Sequence, residues 1–151
     1  MSWEGVTQRR VATNGIELNI AEAGEGPLVL LLHGFPESWY SWRHQFAPLA
    51  DAGYHVVAPD MRGYGKSDKP HEITAYTQVE VRKDIIGLID ALGYDDAVVI
   101  GHDWGAPTAW ATALHHPDKV RAVGALSVPF MPRSPVPPMA AMREMFKGQF
   151  F

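Results

Sequence analysis

Cysteine is absent from the 151-residue chain, so disulfides and thiolate metal sites are excluded. Basic runs are missing as well, and with a net charge of −4 the sequence gives no electrostatic footprint for nucleic acid. No stretch approaches the ~20 consecutive apolar residues of a membrane span. Met1 to Arg10 is polar and lacks the apolar core of a secretory signal, so a soluble, cytoplasmic protein without a membrane partner is expected. None of the seven histidines forms an H-E-x-x-H pair. His115 and His116 are adjacent and fall on different faces of a helix, so neither a metal nor a cofactor is expected. There is no internal repeat or low-complexity tract. What remains is 46% hydrophobic, enough for one domain-sized core.

The most informative stretch is Ile100-Gly101-His102-Asp103-Trp104-Gly105. Ala97 to Ile100 before it is apolar and β-branched, as in a buried parallel strand. Ala106 to His115 after it has helical spacing, with Ala106, Ala109, Trp110 and Ala113 on one face. Strand, tight turn and helix follow in order, with glycines two residues either side of Asp103. That is the spacing of the nucleophile elbow G-x-S-x-G, with Asp where Ser would stand. A carboxylate is already ionised at neutral pH and can attack an sp³ carbon bearing a strained leaving group, giving an enzyme ester that water must then hydrolyse. Taken alone, the spacing would favour Asp103 as merely the N-cap of the following helix.

The other elements can be taken in chain order. Gln8–Thr13 and Ile16–Ala23 flank Asn14-Gly15, a strong hairpin signal. Leu28–Leu32 is an all-aliphatic central strand ending in His33-Gly34-Phe35-Pro36, where a backbone amide can point into a site and a cis Phe35–Pro36 bond is expected. Trp42–Ala52 reads as a helix closed by Gly53. Trp39, Tyr40 and Trp42 at its start fit a pocket mouth or the core equally well. Tyr54–Ala58 is a strand, and Asp60–Ser67 a tight structural loop that fits no phosphate-binding spacing. Lys66 to Thr74 is polar and expected to be exposed. Tyr76–Leu92 is the longest helical pattern, with Val79, Ile86 and Ile89 on one stripe. Lys119–Val128 is the last strand. Five prolines between Pro129 and Pro138 read as a linker, followed by a helical spacing from Pro138 to Lys147. The order implies an α/β fold: a mostly parallel sheet with an antiparallel amino-terminal hairpin and helices on both faces. Residues 1–130 would form the amino-terminal part of the core and 131–151 a linker with the start of a further helix.

Four blocks carry a family resemblance. They are His33-Gly34-Phe35-Pro36-Glu37-Ser38-Trp39-Tyr40-Ser41-Trp42-Arg43, Arg62-Gly63-Tyr64-Gly65, Gly101-His102-Asp103-Trp104-Gly105 and Ser127-Val128-Pro129-Phe130. Together they resemble the epoxide hydrolases of the α/β-hydrolase fold, of the soluble type, from about Gly15 to about Phe146. The resemblance implies that Asp103 opens an epoxide to a vicinal diol through an ester. It implies that the amides of Phe35 and Trp104 form an oxyanion hole, and that Trp104, Phe35 and Pro36 line the pocket of a small apolar epoxide, with water as co-substrate. His33, Gly34, Gly101, His102 and Gly105 would shape the motif loops.

The same resemblance implies cap-domain tyrosines, a late acid, a late histidine and two further strands. None of these occurs in the sequence, so the chain is expected to be an amino-terminal half, inactive without a carboxy-terminal partner fragment. A dehalogenase of the same fold is the nearest rival. Its haloalkane type usually carries Asn or Glu where Phe35 stands, and its haloacetate type tends to have Arg where Trp104 stands.

Overall fold

The computed structural model describes residues 5–132 together with Glu144. Six strands form one sheet: β1 Thr7–Thr13, β2 Ile16–Ala23, β3 Leu28–Leu32, β4 His55–Pro59, β5 Ala97–His102 and β6 Val120–Leu126. Their order across the sheet is β1-β2-β4-β3-β5-β6. β1 and β2 pair antiparallel through the Asn14-Gly15 turn, β2 runs antiparallel to β4, and the rest are parallel. Among the described residues three α-helices follow strands: α1 Phe46–Asp51, α2 Gln78–Ala91 and α3 Gly105–His115.

The period-two alternation of the strands divides the core. Leu28, Leu30 and Leu32 pack with Ile85, Leu88 and Ile89 of α2 and Ala109 of α3 on one face. Val29 and Leu31 pack with Trp42 and Phe46 on the other. Every β3 residue is buried, as its uninterrupted apolar run requires of a strand covered on both sides.

Two elements differ from their sequence reading. The expected helix over Trp42–Ala52 is a 3₁₀ turn at Trp39–Trp42 followed by the six-residue α1. Pro48 accounts for this. It has no N–H and its ring would strike the carbonyl four residues earlier, so it is tolerated only in a helix's first turn. The 3₁₀ turn has its own start signal, Ser38, whose side chain accepts from the Tyr40 amide. The buried stripe of α2 is Asp84, Ile85, Leu88 and Ile89, while Val79 is exposed. A buried acid in the stripe hid its phase. Of the aromatics at the start of the first helix, Trp42 is core, Trp39 packs against it and Tyr40 is exposed. Ser67 is buried although it opens a polar, mostly exposed segment. The linker and helix expected from Arg133 onward lie outside the described residues. Among the described residues no helix is long and apolar enough to cross a membrane.

Candidate active site

Asp103 sits between β5 and α3 with φ of +51°, in the left-handed region that non-glycine residues rarely occupy. The turn that imposes this needs its glycines. A Cβ on Gly101 would collide with the Gly105 carbonyl, and one on Gly105 with the Leu32 carbonyl. α3 is capped by Trp104 without a side-chain bond. The Asp103 carboxylate is instead turned across the sheet to the loop after β3. There the Phe35 amide donates to its Oδ1 at 2.8 Å. Gly34 makes that approach possible, because a Cβ there would overlap the Asp103 side chain. The Phe35 amide is the largest influence on the Asp103 carboxyl and pulls it below the usual carboxylate range. Burial opposes this, and the Trp104 amide and nearby His102 add to it.

The backbone of the elbow is held from the other side. The Asp103 amide lies 3.3 Å from Ser127 Oγ and 3.4 Å from the Leu126 carbonyl at the end of β6. Ser127 is itself left-handed, with φ of +65°.

The loop after β3 is braced by His33 and Glu37. His33 is fully buried. The Met61 amide donates to its Nε2 at 2.9 Å, so that nitrogen carries no proton, and its Nδ1 faces the Gly34 carbonyl at 2.8 Å. The ring is therefore the neutral Nδ1–H tautomer, and burial holds its pKa below the ordinary histidine value. Glu37 Oε2 accepts from the Gly34 amide at 3.1 Å and lies 3.4 Å from His102 Nδ1, which ties the loop to the elbow. Phe35–Pro36 is cis. Phe35 and Trp104 are the largest exposed side chains at the site, 63% and 62% accessible.

A cavity of about 300 Å³ opens next to the elbow, with Phe35 and Pro36, expected at the pocket, and Asp103 itself outside its lining. Gly34 and Trp104 border it, with His33, Met61, Tyr64 and Tyr76 among its walls. Burial and the Asp103 charge both raise the Tyr64 pKa. Beneath the cavity, Arg62 makes a bidentate pair with Asp84, Nε–Oδ2 2.7 Å and Nη2–Oδ1 2.6 Å, and Asn14 adds a third bond to the same carboxylate. Among the described residues no group of three or more His, Cys, Asp or Glu could hold a metal.

The structure thus brings together Asp103, Phe35, Gly34, His33, His102 and Trp104, with Pro36 beside them. Sequence reasoning assigned no role to Glu37, Tyr64, Ser127, Asp60, Arg62 or Asp84. For Glu37, Arg62, Tyr64 and Ser127 the available signal was their place inside the motif blocks. Asp60 and Asp84 find their partners only through the fold.

A family model describing the α/β hydrolase fold matches residues 27–151. The chain belongs to the α/β-hydrolase fold family. This α/β-hydrolase chain is 54% identical over 147 residues to epoxide hydrolase A of Mycobacterium tuberculosis, covering 96% of itself and 46% of that protein. It is 48% identical over 142 residues to epoxide hydrolase 3 of Siraitia grosvenorii, covering 93% and 45%. Among solved structures, an epoxide hydrolase from Vigna radiata superposes with a TM-score of 0.96 at 49% identity, covering 99% of this chain and 49% of that one. Epoxide hydrolase A from Mycobacterium thermoresistibile gives 0.93 at 52% identity, covering 97% and 47%. The chain spans about half the length of these relatives.

Proposed function

We propose that this chain carries the nucleophilic half of an epoxide-hydrolysing site, with Asp103 as the nucleophile. The observation that carries the reading is the Phe35 amide on Asp103 Oδ1, 2.8 Å away. It makes the two carboxylate oxygens unequal. One is held by a donor; the other is left to attack the epoxide carbon in line as the strained C–O bond breaks. The ester that results keeps Oδ1 as its carbonyl oxygen. When water adds to that carbonyl, the oxyanion grows where the Phe35 amide already points, with the Trp104 amide as the second donor. Removing one such donor typically slows the step ~10²–10³-fold. Relatives named epoxide hydrolases, at about half identity, support the same chemistry. The cavity walls suit a small apolar epoxide. In the same reading, residues 1–130 form the amino-terminal part of the catalytic core, and 131–151 a linker and the start of a cap helix.

Opening the ring also needs an acid for the leaving alkoxide, and ester hydrolysis needs a base. Among the described residues His33 is locked between Met61 and Gly34, and His102, turned to Glu37, is not among the cavity's walls. We infer that the chain by itself opens the ring only slowly, with water protonating the leaving alkoxide, then stalls at the ester, and that a carboxy-terminal part supplies the acid and base. The test is to incubate the chain with a styrene-oxide-type epoxide and map adducts by peptide mass spectrometry. Stable alkylation confined to Asp103, lost in Asp103→Asn, is expected. Alkylation spread over other carboxylates would refute the nucleophile. Catalytic diol release by the chain alone would refute the division of labour.

A further inference from the structure

Asp60 follows β4 directly, is 1% exposed, and takes no part in the chemistry above. Its carboxylate accepts three hydrogen bonds from three separate segments. Oδ1 takes the Trp39 amide at 3.1 Å. Oδ2 takes Asn19 Nδ2 at 2.9 Å and the Lys66 amide at 3.0 Å. All three donors are neutral. Burying a carboxylate without a cation is unfavourable unless its lone pairs are well satisfied, and here they are satisfied entirely by amide N–H groups.

The positions of those donors show what the arrangement does. The loop from His33 to Trp39 carries the Phe35 amide. Its near end is fixed where His33 accepts the amide of Met61, and its far end where Trp39 donates to Asp60. Asp60 and Met61 are consecutive, so one point at the end of β4 grips both ends of the loop after β3. The Lys66 bond brings the glycine loop bearing Tyr64 to the same point, and a Cβ on Gly65 would collide with the Asp60 carboxylate. Between the two anchors the loop closes on itself by the Glu37 amide on the Gly34 carbonyl, 3.1 Å. That leaves the Phe35 amide little freedom except toward Asp103.

We propose that Asp60 is a positioning residue that clamps the far end of the His33–Trp39 loop and thereby holds the Phe35 amide on Asp103. This rests on the reading of Asp103 and Phe35 given above. Asn cannot replace Asp60, because its NH₂ would face one of three donors.

The test uses the isotope-labelled chain, with two readouts: the Asp103 carboxyl titration by ¹³C NMR and hydrogen exchange of the Phe35 amide. Asp60→Asn should move the Asp103 midpoint up toward the ordinary aspartate value and speed Phe35 exchange about tenfold, as loss of a hydrogen bond to a charged group allows. Trp39→Pro removes the donor's hydrogen together with the indole, at a position suited to proline, since Ser38 before it is extended, with φ −151° and ψ −179°. It should reproduce both changes. Trp39→Ala keeps the N–H, loses the indole and should leave both unchanged. If Asp60→Asn does not fold, Trp39→Pro set against Trp39→Ala decides. Folded variants with unaltered Asp103 titration and Phe35 exchange would overturn the clamp. A wild-type Asp103 midpoint that is not lowered would instead count against the reading of the site, while Phe35 exchange in the variants would still decide the clamp.

Discussion

The Phe35 amide and the Asp103 carboxylate meet at 2.8 Å across 68 residues of sequence. One lies within the loop after β3 and the other begins the turn after β5, and these strands are hydrogen-bonded neighbours. The contact has consequences for ionisation, for steric tolerance and for the elements that support it.

Asp103 should react as a carboxylate well into acid. Its pKa is below the ordinary 3.8, chiefly because the Phe35 amide donates to the charged form. The folded state thus favours ionisation. Stability from this contact is fully present above the ordinary value and is lost as pH falls through the depressed one. The rate of alkylation at Asp103 should stay flat from neutrality down through the usual carboxylate range and decline only below it. A rate midpoint at or above the ordinary value would contradict this.

Gly34→Ala should disable the site while sparing the fold. The new methyl would overlap the Asp103 side chain and push the carboxylate off the Phe35 amide. Alkylation should slow by about 10²-fold, the scale for a reacting group moved by about 1 Å from its line of attack. Far-UV circular dichroism should be unchanged. Wild-type alkylation by a folded Gly34→Ala chain would show that the close approach is unnecessary.

Arg62 and Asp84 should be coupled in stability. Both side chains are under 5% exposed, at 4% and 2%. Arg62→Met leaves a buried carboxylate without its cation and should lower unfolding free energy by about 3–5 kcal/mol. Arg62→Met combined with Asp84→Leu removes both charges and should recover much of that loss. Urea titration of these two variants and of Asp84→Leu alone measures it, and simple additivity of the single changes would rule the coupling out.

His33 should stay neutral below the pH at which a free histidine charges. Burial lowers its pKa from 6.5, and its Nε2 is occupied by the Met61 amide. The unfolded state then binds the extra proton first, so this contribution is intact above about pH 6.5 and erodes as pH falls toward the depressed value. Imidazole NMR titration resolves His33 from the other histidines. A midpoint at or above 6.5 would disprove the assignment.

Much of this was legible in the chain because the signals are local. The β2 and β3 boundaries follow directly from alternation and from the aliphatic run at Leu28–Leu32. The elbow was readable because two glycines frame Asp103 in five residues. The extent of α1 was misread because Phe46, Leu49 and Ala50 keep helical spacing that Pro48 prevents from extending backward. The stripe of α2 was misread because Asp84 lies in it, and only its pairing with Arg62, 22 residues earlier, makes that burial tolerable. Asp60 was opaque for the same reason, since its donors come from positions 19, 39 and 66.

The register of β3 against β5 pairs Leu32 with Gly101, one and two residues before the loop and elbow whose groups meet. A slip of one residue would displace one partner by about 3.3 Å and reverse the faces of the strand. No rotamer change could restore the 2.8 Å contact. Chemical reactivity at Asp103 is therefore a gauge of strand alignment, and an alkylation screen over a library of core variants would sort correctly registered sheets from misassembled ones without any structural measurement.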